Sequence, residues 1–162
     1  MQVVEQPKIK IDRVWAMPDK QTFQIKPIQE LLFEETEAWS LGMIAEPFPF
    51  EYQKDATEYM KEFQSESVDC VLFDPPYSPR QLKEVYDGKG EYDTKASTWS
   101  NWKDEAARIV KPNGKCISFG WSSGGLGMNR GFELYRILLV PHGGMHNDTI
   151  VTCERKIQGR LQ

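Results

Sequence analysis

Val68-Asp69-Cys70-Val71-Leu72-Phe73 runs directly into Asp74-Pro75-Pro76-Tyr77. The first six residues form an apolar run of strand length, and Pro75 cannot continue a sheet interior, so the run predicts a buried strand ending at Phe73 or Asp74. Such a strand delivers a carboxylate, two prolines and an aromatic ring to its C-terminal edge, where open α/β sheets bind their ligands.

The flanking segments support a strand in that setting. Asp55 is placed to cap a helix in which Ala56, Tyr59, Met60 and Phe63 share one face, with Glu58 completing a capping box. Helix, short turn and buried strand form half of a βαβ unit. The step recurs downstream. The spacing of Trp99, Trp102, Ala106, Ile109 and Val110 predicts a helix over Thr98 to Val110, then a Lys111-Pro112-Asn113-Gly114 turn, then a strand from Lys115 to Trp121. Upstream, Arg13 to Met17 predicts an extended segment, Met1 to Lys10 an arm or short edge strand, and Ile28, Leu31, Leu32 and Trp39 one face of a helix behind Pro27. Met43 to Ala45 could start a strand, but Pro47 and Pro49 forbid its continuation. Pro79 to Tyr86 predicts a helix, Asp87 to Ser97 a polar loop, and Ser122 to Gly131 a glycine-rich loop with a helical turn. Glu133 to Val140 and Thr149 to Glu154 predict two strands whose connection is too short for a crossover helix, hence an antiparallel pair. The expected fold is a single α/β domain over residues 1–162, residues 1–10 being a flexible arm. Its sheet is mostly parallel, with helices on both faces and an antiparallel edge pair.

At 162 residues the chain is long enough to bury a core without disulfides or structural metal. The three cysteines, Cys70, Cys116 and Cys153, each lie in a strand-like run with no C-x-x-C pair, which predicts reduced, buried thiols and no metal site. His142 and His146 flank Gly143-Gly144-Met145, as residues of a turn between strands do. With no apolar segment of about 18 residues and no charged-then-apolar leader, neither a membrane span nor a secretory signal is expected, and the expected location is the cytoplasm. A formal net charge of −4 argues against a basic footprint over the whole surface and leaves room for a local one.

Asp74-Pro75-Pro76-Tyr77 resembles motif IV of the amino-group DNA methyltransferases, in which such a tetrapeptide follows a parallel strand. Thr22 to Leu32, with Lys26-Pro27 before a leucine-rich helix, resembles motif X of that family. Ile109 to Phe119 resembles motif VI. The resemblance extends from about residue 13 to 156 and implies a Rossmann-like class I methyltransferase sheet, S-adenosylmethionine as cofactor and, with Asp first in the tetrapeptide, adenine N6 in DNA as the methyl acceptor. An exocyclic amine is a poor nucleophile because its lone pair is delocalised into the ring. Asp74 and the Pro75 carbonyl could accept its N–H bonds and localise that pair, Pro76 would hold the acceptors rigid, and Tyr77 would stack on an extruded base. The resemblance further implies cofactor contacts at Phe23, Lys26, Glu46 and Asp55. Arg80, Lys83, Lys89 and Arg130, on or beside the two loops, are the candidates for DNA phosphate.

One departure separates this chain from the family pattern. Ala45 to Phe50 resembles the start of motif I, yet the glycine turn, helix and second strand that should follow are missing before Asp55. The N-terminal half of the sheet is therefore expected to be truncated. Besides adenine methylation, two readings remain open: a non-catalytic relative, of the kind carried by mobile elements, that binds DNA or a partner subunit, and methylation of RNA or a free nucleotide. A homo-oligomer or a second chain could supply the missing cofactor wall.

Overall fold

The computed structural model describes residues 8–36, 56–77 and 96–157. In chain order its elements are strand β1 (Lys10–Arg13), a 3-10 turn (Thr22–Gln24), helix α1 (Lys26–Thr36), helix α2 (Ala56–Lys61), strand β2 (Val68–Phe73), helix α3 (Ala96–Ile109), strand β3 (Val110–Gly120), a second 3-10 turn (Met128–Arg130) and strands β4 (Phe132–Val140) and β5 (Thr149–Lys156). The five strands form one sheet in the order β1-β4-β5-β3-β2. β1 runs parallel to β4, and β2 parallel to β3, while β5 lies antiparallel to both β3 and β4. Four strands therefore point one way and β5 alone is reversed. Among the described residues, β2 stands at one end of the sheet with no strand on its far side.

Alternation along the strands assigns the two faces. Ile117 and Phe119 of β3 share one core with Ile28, Leu31 and Leu32 of α1, while Cys116 and Val110 share the other with Met60 of α2 and Trp102, Ala106 and Ile109 of α3. β2 divides likewise, Cys70 and Leu72 towards α1, Val71 and Phe73 towards α2 and α3. The result is a Rossmann-like three-layer α/β arrangement. The α1 side chains Ile28, Leu31 and Leu32 are at most 1% exposed, a burial that contributes about 2 kcal/mol each.

Polar bonds fix the helices in place. Arg108 at the end of α3 donates to the Met60 and Phe63 carbonyls, 2.8 and 2.9 Å away, which closes the C-terminus of α2. On the opposite face Glu35, near the end of α1, accepts from Lys115 Nζ (3.1 Å), Tyr135 Oη (2.6 Å) and Arg136 Nη1 (3.0 Å). Burial alone would raise the Glu35 pKa, but these three bonds to the ionised form override it and hold the carboxyl below its ordinary value.

Several boundaries differ from those the sequence predicts. The first strand is Lys10–Arg13 and the extended reading of Arg13 to Met17 survives only as backbone bonds, Val14 N–H to the Leu139 carbonyl and Ala16 N–H to that of Pro141. The antiparallel pair is not at the sheet edge, because β1 adds outside β4. The Lys111-Pro112-Asn113-Gly114 turn does not precede β3 but bulges from it: Val68 pairs with Val110, yet Cys70 pairs with Lys115. Asn113 takes a left-handed φ of 64° there. α3 starts at Ala96, so the end of the expected Asp87 to Ser97 loop is helical. The proposed helix at Pro79 to Tyr86, the Met43 to Ala45 strand and Trp39 lie outside the described residues, as does most of the N-terminal arm. Among those described, no helix is long and apolar enough to cross a membrane.

Two outcomes follow for stability. A Cβ at Gly114 would lie 2.7 Å from Val110 Cγ1, 2.8 Å from the Lys111 carbonyl oxygen and 2.9 Å from that of Asp69, so Gly114→Ala should cost about 1–3 kcal/mol in urea unfolding. Glu35→Gln should cost about 2 kcal/mol at neutral pH. Because the folded-state pKa of Glu35 is lowered, its contribution is complete above the unfolded carboxylate pKa and disappears as pH falls through the folded value. Wild type and variant should therefore converge in acid unfolding curves.

Candidate active site

The C-terminal end of β2 is held by contacts from three directions. Trp99 of α3 donates its Nε1–H to the Pro76 carbonyl at 2.9 Å. Tyr77 Oη donates to Asp74 Oδ1 at 2.6 Å. The Thr22 hydroxyl, from the 3-10 turn before α1, lies close to both Asp74 and Tyr77 and favours their ionised forms. Next to Thr22, Phe23 packs edge-on against Phe119 with ring centroids 5.2 Å apart, which ties that turn to β3. Asp74 to Tyr77 thus forms a rigid projection over the sheet edge rather than a free loop.

Its electrostatics follow from this packing. Asp74 opens to solvent at the rim, yet protein surrounds most of its carboxyl. Desolvation accordingly raises its pKa above the ordinary aspartate value, against the lowering influence of Tyr77 and Thr22. Desolvation first, and then the neighbouring Asp74 charge, pushes the Tyr77 phenol upward, so Tyr77 remains a neutral donor. Since the Pro76 carbonyl is taken by Trp99, the turn's remaining acceptors are Asp74 and the Pro75 carbonyl, which makes no hydrogen bond among the described residues.

The Pro75-Pro76 step separates two cavities. One, of about 240 Å³, is bounded by Tyr77, Trp99, Lys103, Ser118 and Trp121. Tyr77 and Trp121 meet edge-on at 5.7 Å, and the Tyr77 ring lies over Gly120, 3.9 Å from where its Cβ would stand. The other, of about 470 Å³, runs along β2 and α2 and is walled by Tyr59, Met60, Phe63, Leu72 and Asp74. The smaller lies below the roughly 300–1,000 Å³ of sites for drug-sized ligands, whereas the larger falls within that range.

The remaining candidates separate clearly. Phe23 belongs to the core wall beneath Thr22. Lys26 is largely solvated, its ammonium 3.9 Å from Glu30. Arg130 spends its guanidinium on the fold, donating to Asp104 at 2.7 Å, to the Leu126 carbonyl at 3.2 Å and to the Ser100 hydroxyl at 3.0 Å. This clamps the glycine loop to α3, so its expected role at DNA phosphate has no support here. Glu46, Asp55, Arg80, Lys83 and Lys89 lie outside the described residues. Among those described, no cluster of His, Cys, Asp and Glu could hold a metal ion. Burial raises the thiol pKa of Cys70 to about 11 and of Cys153 to about 12, and that of Cys116 higher still, consistent with inert core thiols.

Sequence reasoning missed Thr22, Trp99, Lys103 and Trp121. A signal existed for one pair, since Trp99 and Lys103 are four apart on a helix and must share a face. Thr22 opens the stretch that resembles motif X but without an expected role at Asp74, and Trp121 carried no signal, because only the sheet order places both beside Tyr77.

Comparisons with known proteins come in two kinds. No family description and no curated protein matches the sequence. Solved structures do match loosely. A provisionally assigned DNA modification methylase of Thermus thermophilus is 18% identical, with 67% of this chain covering 54% of that one at a TM-score of 0.44. Its complex with S-adenosyl-L-methionine gives 19% identity, coverages of 67% and 55%, and a TM-score of 0.42. TrmN from Thermus thermophilus is 18% identical, with 93% of this chain covering 44% of that one at a TM-score of 0.44. The chain spans about half the length of these structures.

The bond from Tyr77 to Asp74 stabilises the ionised carboxylate. Carboxyl titration by NMR should place the Asp74 midpoint above that of an ordinary aspartate, and Tyr77→Phe should move it further upward. A downward movement would contradict the bonding described.

Proposed function

We propose that this chain is a methyltransferase domain that transfers the methyl group of S-adenosylmethionine to the exocyclic N6 amine of adenine in DNA. The observation that carries this reading is the meeting of two cavities at Pro75-Pro76, with Asp74 beside them on the wall of the larger one. A ring-sized aromatic cavity lies on one side, a larger apolar one on the other, and amine acceptors stand at their junction. Methyl transfer needs that arrangement, because donor and acceptor must approach in line across the residues that orient the amine.

The larger cavity fits an adenosyl group in volume and in its Tyr59, Met60 and Phe63 wall. S-adenosylmethionine supplies an electrophilic methyl on a sulfonium. The chain's own residues do the rest. The Asp74 carboxylate and the Pro75 carbonyl accept N–H bonds from the amine and draw its nitrogen towards tetrahedral geometry. Pro76, held by Trp99, keeps those acceptors fixed before the base arrives. Tyr77 and Trp121 present ring surface to an extruded base, whose unstacking from the duplex stacking can offset. The raised pKa of Asp74 matters because only the ionised form accepts two bonds, so activity should fall on the acid side at a pH above the ordinary aspartate range.

The test combines binding and turnover. Calorimetry should show that wild type binds S-adenosylmethionine and that Asp74→Ala, which removes one wall carboxylate of the larger cavity, still binds it, with a loss far smaller than the loss of transfer. Transfer of tritiated methyl to adenine-containing DNA should drop about 100-fold or more in the variant, with its circular dichroism unchanged. Retained transfer in Asp74→Ala, or transfer to RNA in place of DNA, would overturn the corresponding part of the proposal.

A further inference from the structure

Among the described residues that line the smaller cavity, Lys103 alone carries a charge, and the proposed chemistry leaves it unused. It follows Trp99 by one helical turn, so the helix that anchors the Pro76 carbonyl also sets Lys103 against the same cavity. The side chain is half-buried, yet it makes no hydrogen bond or ion pair among the described residues. The carboxylate whose charge reaches it is that of Glu154, and both Glu154 oxygens accept instead from the Leu126 and Gly127 N–H groups, at 2.7 and 2.8 Å. Neighbouring Arg130, meanwhile, has its guanidinium turned to Asp104, Ser100 and the Leu126 carbonyl. A half-buried ammonium without an acceptor, on the wall of an aromatic cavity, is suited to a ligand atom that accepts.

The identity of that atom follows from the turn that borders the same cavity. Pro75, on the cavity wall, and Asp74, just before it on the side of the larger cavity, offer acceptors to which an exocyclic amine would donate, whereas Lys103 offers a donor. Adenine presents that combination on either side of its N6 amine, with ring nitrogen N1 on one edge and N7 on the other, both acceptors. We propose that Lys103 is a specificity-determining residue that donates a hydrogen bond to a ring nitrogen beside the amine of the base held against Tyr77. This rests on the base-methylation reading of the site and extends it to the recognition of the ring. Burial, and then the nearby Arg130 charge, lowers the Lys103 pKa, while Glu154 and Cys116 act the other way. An ammonium so placed gains more from an incoming acceptor than a solvated lysine would.

The test uses nucleosides as probes, so it needs neither a recognition sequence nor turnover. Trp99 and Trp121 border the cavity and provide a fluorescence signal. Wild type is titrated with deoxyadenosine and with its 1-deaza and 7-deaza analogues, each lacking one ring nitrogen. Wild type should bind one of these analogues about tenfold or more weakly than deoxyadenosine. Lys103→Met, which keeps the length of the stem, should bind deoxyadenosine and that analogue equally and weakly, and Lys103→Arg should restore part of the preference. Binding of all three nucleosides alike by wild type, or an undiminished preference in Lys103→Met, would overturn the role of Lys103 and leave the base-methylation reading standing. Failure of wild type to bind any of them would overturn both.

Discussion

A strand covered on both faces must satisfy its backbone bonds sideways, and β3 is that strand here. Ile117 and Phe119 pack towards α1, Cys116 and Val110 towards α2 and α3, and its edges pair with β2 and β5. No register slip is tolerated in such a strand, because a shift of one residue would exchange its two cores. From this follow the parallel alignment of β2, the reversed β5 that must fit between β3 and β4, and the placing of Gly120-Trp121 directly beside Tyr77. The site is thus a consequence of the register of β3.

The prolines and the tryptophan divide the work of holding the sheet edge. Pro75 and Pro76 remove backbone freedom, but they also remove two N–H donors, so the middle of the turn cannot be anchored through its own amides. It is anchored through an acceptor instead, by Trp99 Nε1–H on the Pro76 carbonyl, and through side chains, by Tyr77 on Asp74 with Thr22 close to both. What this leaves open is chemically selective. The Trp99 and Tyr77 donors are spent on the turn, while among the described residues the Pro75 carbonyl and part of Asp74 remain as acceptors. An edge prepared in this way favours a ligand that donates, as an amine does.

The glycine loop after β3 shows the opposite strategy. Glu154 of β5 reaches beneath it and accepts the Leu126 and Gly127 N–H groups, and Arg130 fastens its far end to α3. Gly125 has a φ of 46°, and a Cβ there would collide with the Glu154 carboxylate. Glycine at 125 therefore makes room for a buried carboxylate of the protein itself. Buried charge is tolerated because bonds to it are supplied from within the fold.

Local sequence was sufficient for much of this. A six-residue apolar run cut off by two prolines forms the strand that delivers Asp74 to Tyr77 to an edge, although at the end of the sheet only its Phe73 is buried rather than the whole run, and helical spacing located the faces of α1 and α3. These features were legible because they depend on near neighbours in the chain. The bulge at Lys111 to Gly114, the addition of β1 outside β4, and the gathering of Thr22, Trp99, Lys103 and Trp121 around one turn were not. Those depend on strand order and register, which arise from burial shared between segments up to about a hundred residues apart, as Glu35 and Tyr135 are. No local pattern carries such information. Chain chemistry supplied the carboxylate, the prolines and the ring, and tertiary packing alone determined which of their hydrogen-bonding groups stayed available to a ligand.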